Sequence, residues 1–313
     1  MMRLTLAAAA TLALTEPAGA DDTGWALVWS DEFDGTAIDN AKWGFDVDCW
    51  GGGNEEHQCY TRSERNAAVA DGKLVITARN ERSTGPALPI DQRRFSATPN
   101  AEATRSFSSA RLSTRGKASW TYGRVEVRAR LPQGQGTWPA IWMLPEKSGY
   151  GPWAASGEID ILEAVNLGVP CAKCPGGREN TILGTIHFGG KWPNNKLAST
   201  EIAYPEVLEG FHTFAVEWQP GQIVWLVDGK VYAEQTADKW STTGSKQPGA
   251  PFDRPFHLIL NLAIGGKLPE GRGLGGVRLD GYPKQFEVDW VRVWQKREGN
   301  AKADPGARDA GDK

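Results

Sequence analysis

Apolar residues that return at every second position dictate most of what this chain can become. Val125, Val127, Ala129 and Leu131 alternate with Arg124, Glu126, Arg128 and Arg130, so one face of that run is apolar and the other charged. Successive side chains of a strand point to opposite faces, and this period marks a half-buried β-strand, not a helix. Phe214, Val216 and Trp218 repeat the pattern, and Ile223 to Val227 runs into Asp228-Gly229, a hairpin turn signal. Leu74 to Ala78, Phe256 to Leu262 and Phe286 to Trp294 read as further strands, the last two apolar on both sides, as strands inside stacked sheets are. No amphipathic helix stands out between Trp25 and Gln295. Many short strands divided by Gly and Pro turns predict an all-β antiparallel sandwich. Ser83 to Ser109, polar and carrying three Pro, reads as a long loop between strands. With neither a linker nor an internal repeat, residues 21–295 are expected to form one domain.

The two ends read differently. Arg3, the apolar run Leu4 to Leu14 and the small residues Ala18-Gly19-Ala20 have the order of a secretory signal over residues 1–20. That run is too short to span a bilayer, and no later segment reaches the required length. The chain is therefore expected to be secreted, without a membrane partner. Residues 296–313, charged and bearing Gly, Ala and Pro, are expected to be a disordered tail. Export makes disulfides the natural use of Cys49, Cys59, Cys171 and Cys174. Proximity favours Cys49–Cys59 and Cys171–Cys174, although four thiols allow three pairings; a four-Cys zinc site and a Cys-x-x-Cys redox site are the rival uses.

Net charge of −3 gives no electrostatic case for nucleic acid. Fourteen Trp are the compositional oddity. An indole N–H needs a partner when buried, so about half of these rings are expected in the core and the rest on exposed apolar platforms. A sugar ring, with one C–H face, suits such a platform.

Ser156-Gly157-Glu158-Ile159-Asp160-Ile161-Leu162-Glu163-Ala164 carries the chemistry. Three acids interleave with β-formers, so a strand holds them. In a regular strand Glu158 and Asp160 share one face and Glu163 points to the other. One extra residue at a β-bulge near Ile161–Leu162 would return Glu163 to the face of its partners. Four strand steps place Cα atoms about 13 Å apart, a gap that two Glu side chains leaning together can largely close. A retaining glycosidase needs its carboxyls about 5–5.5 Å apart, an inverting one about 6.5–9.5 Å. Crowded acids push their pKa values apart, so one can stay protonated while another ionises. A solvated acidic strand face and a calcium site are the alternative uses of such a pattern, the latter a poor match to Ile-spaced acids on a strand.

The segment Gly157 to Glu163 resembles the bulged active-site strand of glycoside hydrolase family 16. Gly136 to Pro145 is similar to the preceding strand of the laminarinase-like branch. Gly184 to Gly190, His212 to Trp218 and Asn261 to Gly266 resemble later blocks in the same order, and Trp29 to Asp34 and Val288 to Trp294 match the ends. The resemblance covers nearly all of Trp25 to Gln295. It implies a β-jelly roll of two curved antiparallel sheets with a concave substrate cleft. It also implies Glu158 as nucleophile, Glu163 as general acid/base and Asp160 as supporting carboxylate, with no cofactor for catalysis. Trp138, Trp142 and Trp153 become candidate sugar-stacking rings, and Asn54 and His187 candidate substrate contacts. The stretch from Asn54 to Tyr60 departs from the commonest version by an insertion. Many members hold a structural calcium far from the cleft, and the matching positions are Glu32, the Gly72 carbonyl and Asp289.

A monomeric, endo-acting β-1,3-glucanase is the function these features imply, with laminarin-like or mixed-linkage β-glucan as partner. The same chemistry on a galactan such as agar or carrageenan, and a non-catalytic β-glucan-binding protein, are the alternatives. Thr137 to Pro145 looks more glucanase-like than galactanase-like, and retention of both Glu158 and Glu163 speaks against loss of catalysis.

Overall fold

The computed structural model describes residues 24–297. The expected signal over residues 1–20 and nearly all of the expected tail lie outside them. Within them seventeen strands follow one another: β1 (Trp25–Asp31), β2 (Gly44–Asp46), β3 (Gln58–Tyr60), β4 (Ala67–Ala70), β5 (Lys73–Pro86), β6 (Glu102–Ser109), β7 (Arg111–Ser113), β8 (Gly123–Arg130) and β9 (Thr137–Pro145). Strand β10 (Glu158–Glu163), which carries the three acids, precedes β11 (Thr181–Gly189), β12 (Asn195–Ala203), β13 (His212–Gln219), β14 (Gln222–Val227), β15 (Lys230–Thr236), β16 (Phe256–Ile264) and β17 (Lys284–Lys296). The α-helices are single turns, α1 (Ile90–Arg93) and α2 (Lys267–Gly271). No helix of the described residues is long and apolar enough to cross a membrane.

The strands form two sheets. One runs β15-β14-β13-β8-β17-β5-β6-β3, with β1 also on β17 and β4 also on β5; the other runs β12-β11-β10-β9-β16-β7-β2. Pairing is antiparallel throughout except between β3 and β6. Alternation supplies the core. Val125, Val127 and Ala129 of β8, Phe214, Val216 and Trp218 of β13 and Phe286, Val288, Val291 and Val293 of β17 face inward. They meet Ile141 and Met143 of β9, Ile159 of β10 and Leu258, Leu260 and Leu262 of β16. Trp25, Trp43, Trp120, Trp138, Trp218, Trp225 and Trp240 are buried, half of the fourteen. The architecture is the all-β jelly-roll sandwich expected, and its second sheet carries the acids of β10 on the face turned away from the core.

One expectation fails. Ser83 to Ser109 is not a long loop: β5 reaches Pro86 and pairs with β6 from Glu102 onward, leaving only residues 87–101 outside strands. Both faces of this hairpin arm are partly solvated, with the Thr84 and Thr104 hydroxyls paired across it. A strand wet on both sides has no apolar alternation to read. Lys296, expected in the tail, instead closes β17 and pairs with Trp25 of β1. The disulfides are Cys49–Cys59 and Cys171–Cys174, the pairing that proximity favours, and no cysteine of the described residues is left as a free thiol.

Candidate active site

The bulge lies where parity requires it. Against β9, Asp160 faces Trp142 and Leu162 faces Ile141; against β11, Asp160 faces Thr185 and Glu163 faces Leu183. Each neighbour thus advances one residue fewer than β10. Ile161 and Leu162 both turn into the core, and Glu163 emerges beside Glu158 and Asp160. Gly157 lets the chain enter this strand. It holds φ +86°, and a Cβ there would lie 2.9 Å from the Phe252 ring.

A bulge breaks the sheet ladder, and buried backbone groups seek partners elsewhere. Here Trp225, on β14 of the opposite sheet, donates its indole N–H to the Asp160 carbonyl at 2.8 Å. Gly184 of β11 makes room for that ring, since a Cβ at 184 would stand 2.5 Å from Trp225 Cδ1. The aim of Glu163 therefore depends on a side chain from across the sandwich.

Each glutamate is held by one indole. Trp138 Nε1–H donates to Glu163 Oε1 at 3.0 Å, and Trp153 Nε1–H donates to Glu158 Oε2 at 2.7 Å. His187, opposite Glu158 in the β10–β11 register, places Nε2 3.3 Å from Asp160 Oδ2 and 3.6 Å from Glu158 Oε1. Trp153 lies against the His187 ring with centroids 5.5 Å apart.

Electrostatics divide the acids. Burial, then the Asp160 charge, holds the Glu163 carboxyl well above the usual carboxylate range. Burial and the Glu158 charge raise Asp160. Burial also raises Glu158, while His187 and the Trp153 N–H act in the opposite direction. For His187, burial opposes the charge, but contact with Asp160 and the fields of Glu158 and Glu163 outweigh it and carry the imidazole up to about 9. A cationic imidazole among three acids lets one carboxyl ionise while another keeps its proton. Glu158, Asp160 and His187 also bring ligand atoms within 4.8 Å of one another, but a dication there would have to displace the proton that the acids hold on His187.

The expected sugar contacts fall into distinct environments. Trp153 is 41% exposed and offers an open ring edge. Trp138 is 8% exposed and packs with Val165, Ala263 and Leu268, so it is a buried support for Glu163 and not an open stacking ring. Trp142 is half-buried: Arg111 stacks over it at 4.6 Å, and its N–H reaches Asn261 Oδ1 at 2.6 Å. Asn54 does not join the acids. Its amide donates to Glu56 Oε1 at 3.4 Å, at the edge of a separate buried network. In that network Gln58 and Tyr60 donate to Glu56, and Asn261 donates to Tyr60. Arg111, Glu56, Tyr60 and Asn261 were absent from the sequence-derived set. Glu56, Gln58 and Tyr60 did carry a signal, polar residues at a period of two.

Glu32, Gly72 and Asp289 lie away from β10. Glu32 receives Arg292 Nε at 3.0 Å and Nη2 at 2.8 Å, and Asp289 accepts from Arg128. Gly72 occupies the β4–β5 turn at φ +69°. Hard oxygens suit calcium, and in the arrangement present both carboxylates pair with guanidinium groups instead.

Comparison with known proteins agrees with this geometry. The family model described as glycosyl hydrolases family 16 matches residues 54–292. A glucan endo-1,3-beta-glucosidase A1 of Niallia circulans is 42% identical over 90% of this chain, which spans only 39% of that longer protein. A glucan endo-1,3-beta-glucosidase of Cryptopygus antarcticus is 40% identical over 86% of the chain and 92% of its own length. The X-ray structure of the laminarinase from Rhodothermus marinus superposes with a TM-score of 0.69 at 41% identity, covering 88% of this chain and 98% of that one. Fold, ordered motifs and bulged acidic strand all lead to one assignment: the chain belongs to glycosyl hydrolases family 16.

Proposed function

We propose that this chain is a secreted, monomeric, endo-acting β-1,3-glucanase that cleaves laminarin-like or mixed-linkage β-glucan with retention of configuration. The bulge carries the reading, because it brings Glu163 to the face of Glu158 and Asp160. Glu163, kept protonated by burial and its neighbours, gives its proton to the glycosidic oxygen. Glu158, ionised with the help of His187 and the Trp153 N–H, attacks C1 and forms a glycosyl ester as the leaving sugar departs. Esterification removes the Glu158 charge, one of the fields acting on Glu163, so Glu163 more readily stays ionised. It then takes a proton from water, and the hydroxide formed in that transfer attacks C1 and frees Glu158. Asp160 and His187 set the charge balance, and Trp138 positions Glu163.

Reducing-sugar release from laminarin by wild type and Glu158→Ser tests the assignment, with proton NMR of the first-formed anomer. Loss of activity in the variant and a β-anomeric first product are expected; activity surviving the substitution would remove Glu158 from the mechanism. Product profiles on lichenan, agarose and carrageenan separate glucanase from galactanase. No calcium step is included. A melting temperature indifferent to added calcium or chelator is expected, and a rise with calcium would show that the ion displaces Arg292 and Arg128.

A further inference from the structure

Three of the large apolar side chains left open by the fold gather at one corner of the cleft: Trp153, Trp192 at 71% exposure and Leu197 at 55%. Leu197 of β12 faces His187 of β11, which in turn faces Glu158 of β10. Cross-strand partners share a face, so Leu197 lies on the cleft side two strands out from the nucleophile. Trp192 sits in the β11–β12 connection. Its backbone N–H donates to the Trp153 carbonyl at 3.1 Å, and Ala154 N–H donates to the Gly190 carbonyl at 3.2 Å. The loop bearing Trp192 is thereby clipped to the loop whose Trp153 indole holds Glu158.

The other arm of the cleft, over β9, β16 and β7, is polar, with Arg111, Asn261, Tyr60 and Glu56 in one hydrogen-bonded and charged group. The β11–β12 arm instead leaves indole and leucine area in water beside a site that handles polymer. Pyranose rings offer that surface their C–H faces.

We infer that Trp192, with Leu197 and the outer edge of Trp153, is a stacking platform for glucan residues crossing the β11–β12 arm, and that Trp192 sets the chain length the enzyme prefers. This rests on the catalytic reading of Glu158 and Glu163. The test compares wild type, Trp192→Ala and Trp192→Phe on laminarin and on a ladder of β-1,3-gluco-oligosaccharides. In Trp192→Ala, KM for long chains rises about tenfold and KM for the shortest cleaved oligosaccharide less than about twofold, as losing one covered aromatic face requires. Trp192→Phe restores most of the long-chain affinity. In a Glu158→Gln background, laminarin shifts tryptophan emission to the blue, and Trp192→Ala removes much of that shift. A wild-type length profile and an undiminished shift in Trp192→Ala overturn the inference. Failure of the catalytic reading has a different signature: wild type releases no sugar from any rung, while the emission shift still reports the platform.

Discussion

Replacing Glu163 with Gln is expected to stabilise the fold while it abolishes turnover, by an amount that grows with pH. In the folded chain, burial and the Asp160 charge carry Glu163 from 4.5 to about 8. Between those limits the folded protein holds a proton that the unfolded chain has released. Stability therefore falls as pH rises, by about 1.4 kcal/mol per pH unit for one such proton. Below the unfolded value both states are protonated and this cost is absent. Gln has no proton to lose, so the variant lacks that slope. From near pH 5 to near pH 7 the gap between variant and wild type should widen by at most about 3 kcal/mol, two units of the single-proton slope. In a domain of this size that corresponds to roughly 5–10 °C in Tm. The value is a ceiling because the unfolded carboxyl is not yet fully ionised near pH 5 and the folded one begins to ionise as pH nears its own raised value. Urea denaturation followed by tryptophan fluorescence across this range measures it, with the m-value expected to stay constant. A gap of the same size at both ends of the range, or a variant less stable than wild type near neutrality, would refute the claim that the folded site retains this proton.

The two indoles should shift opposite limbs of the pH–rate profile. Trp138→Phe removes a hydrogen bond that favours ionised Glu163, so the alkaline limb of kcat/KM moves to higher pH. Trp153→Phe does the same to Glu158, so the acid limb also moves to higher pH; a shift of either limb to lower pH would contradict the hydrogen bonds assigned. Gly184→Ala forces a methyl against Trp225 and should cost about 1–3 kcal/mol through overpacking. It should also lower kcat, because the indole leaves the Asp160 carbonyl; a variant destabilised with kcat intact would show that the bulge needs no support from the opposite sheet.

Most of the sandwich was legible because its strands are wet on one face or dry on both, and each case leaves a period or a run. The β5–β6 arm escaped because solvent reaches both its faces. The bulge was deducible from Glu158 to Glu163 because their offset is odd, which no regular strand reconciles with a shared face. Its support was not: Trp225 lies 65 positions beyond Asp160, and an indole meeting a distant carbonyl leaves no local pattern. Trp138 read as a sugar platform because composition cannot separate an indole facing a ligand from one facing a buried carboxyl. Glu32 and Asp289 had no visible arginine partners for a similar reason, since Arg292 reaches Glu32 across 260 positions.

The bulge also makes β10 unusually informative about insertions and deletions. Its extra residue offsets an odd spacing between the two glutamates, so what the site conserves is parity and not length. Deleting Leu162 would leave Glu158, Asp160 and the second glutamate on one face of a regular strand, with the ladder to β9 and β11 resumed. Losing or gaining two residues there would keep the spacing odd, so the strand would have to keep a bulge or drive that glutamate into the core. A shortened strand should thus come closer to a working site than many point substitutions of its core residues. It would also release the Trp225 indole from its carbonyl, leaving the two sheets to be joined there by packing alone.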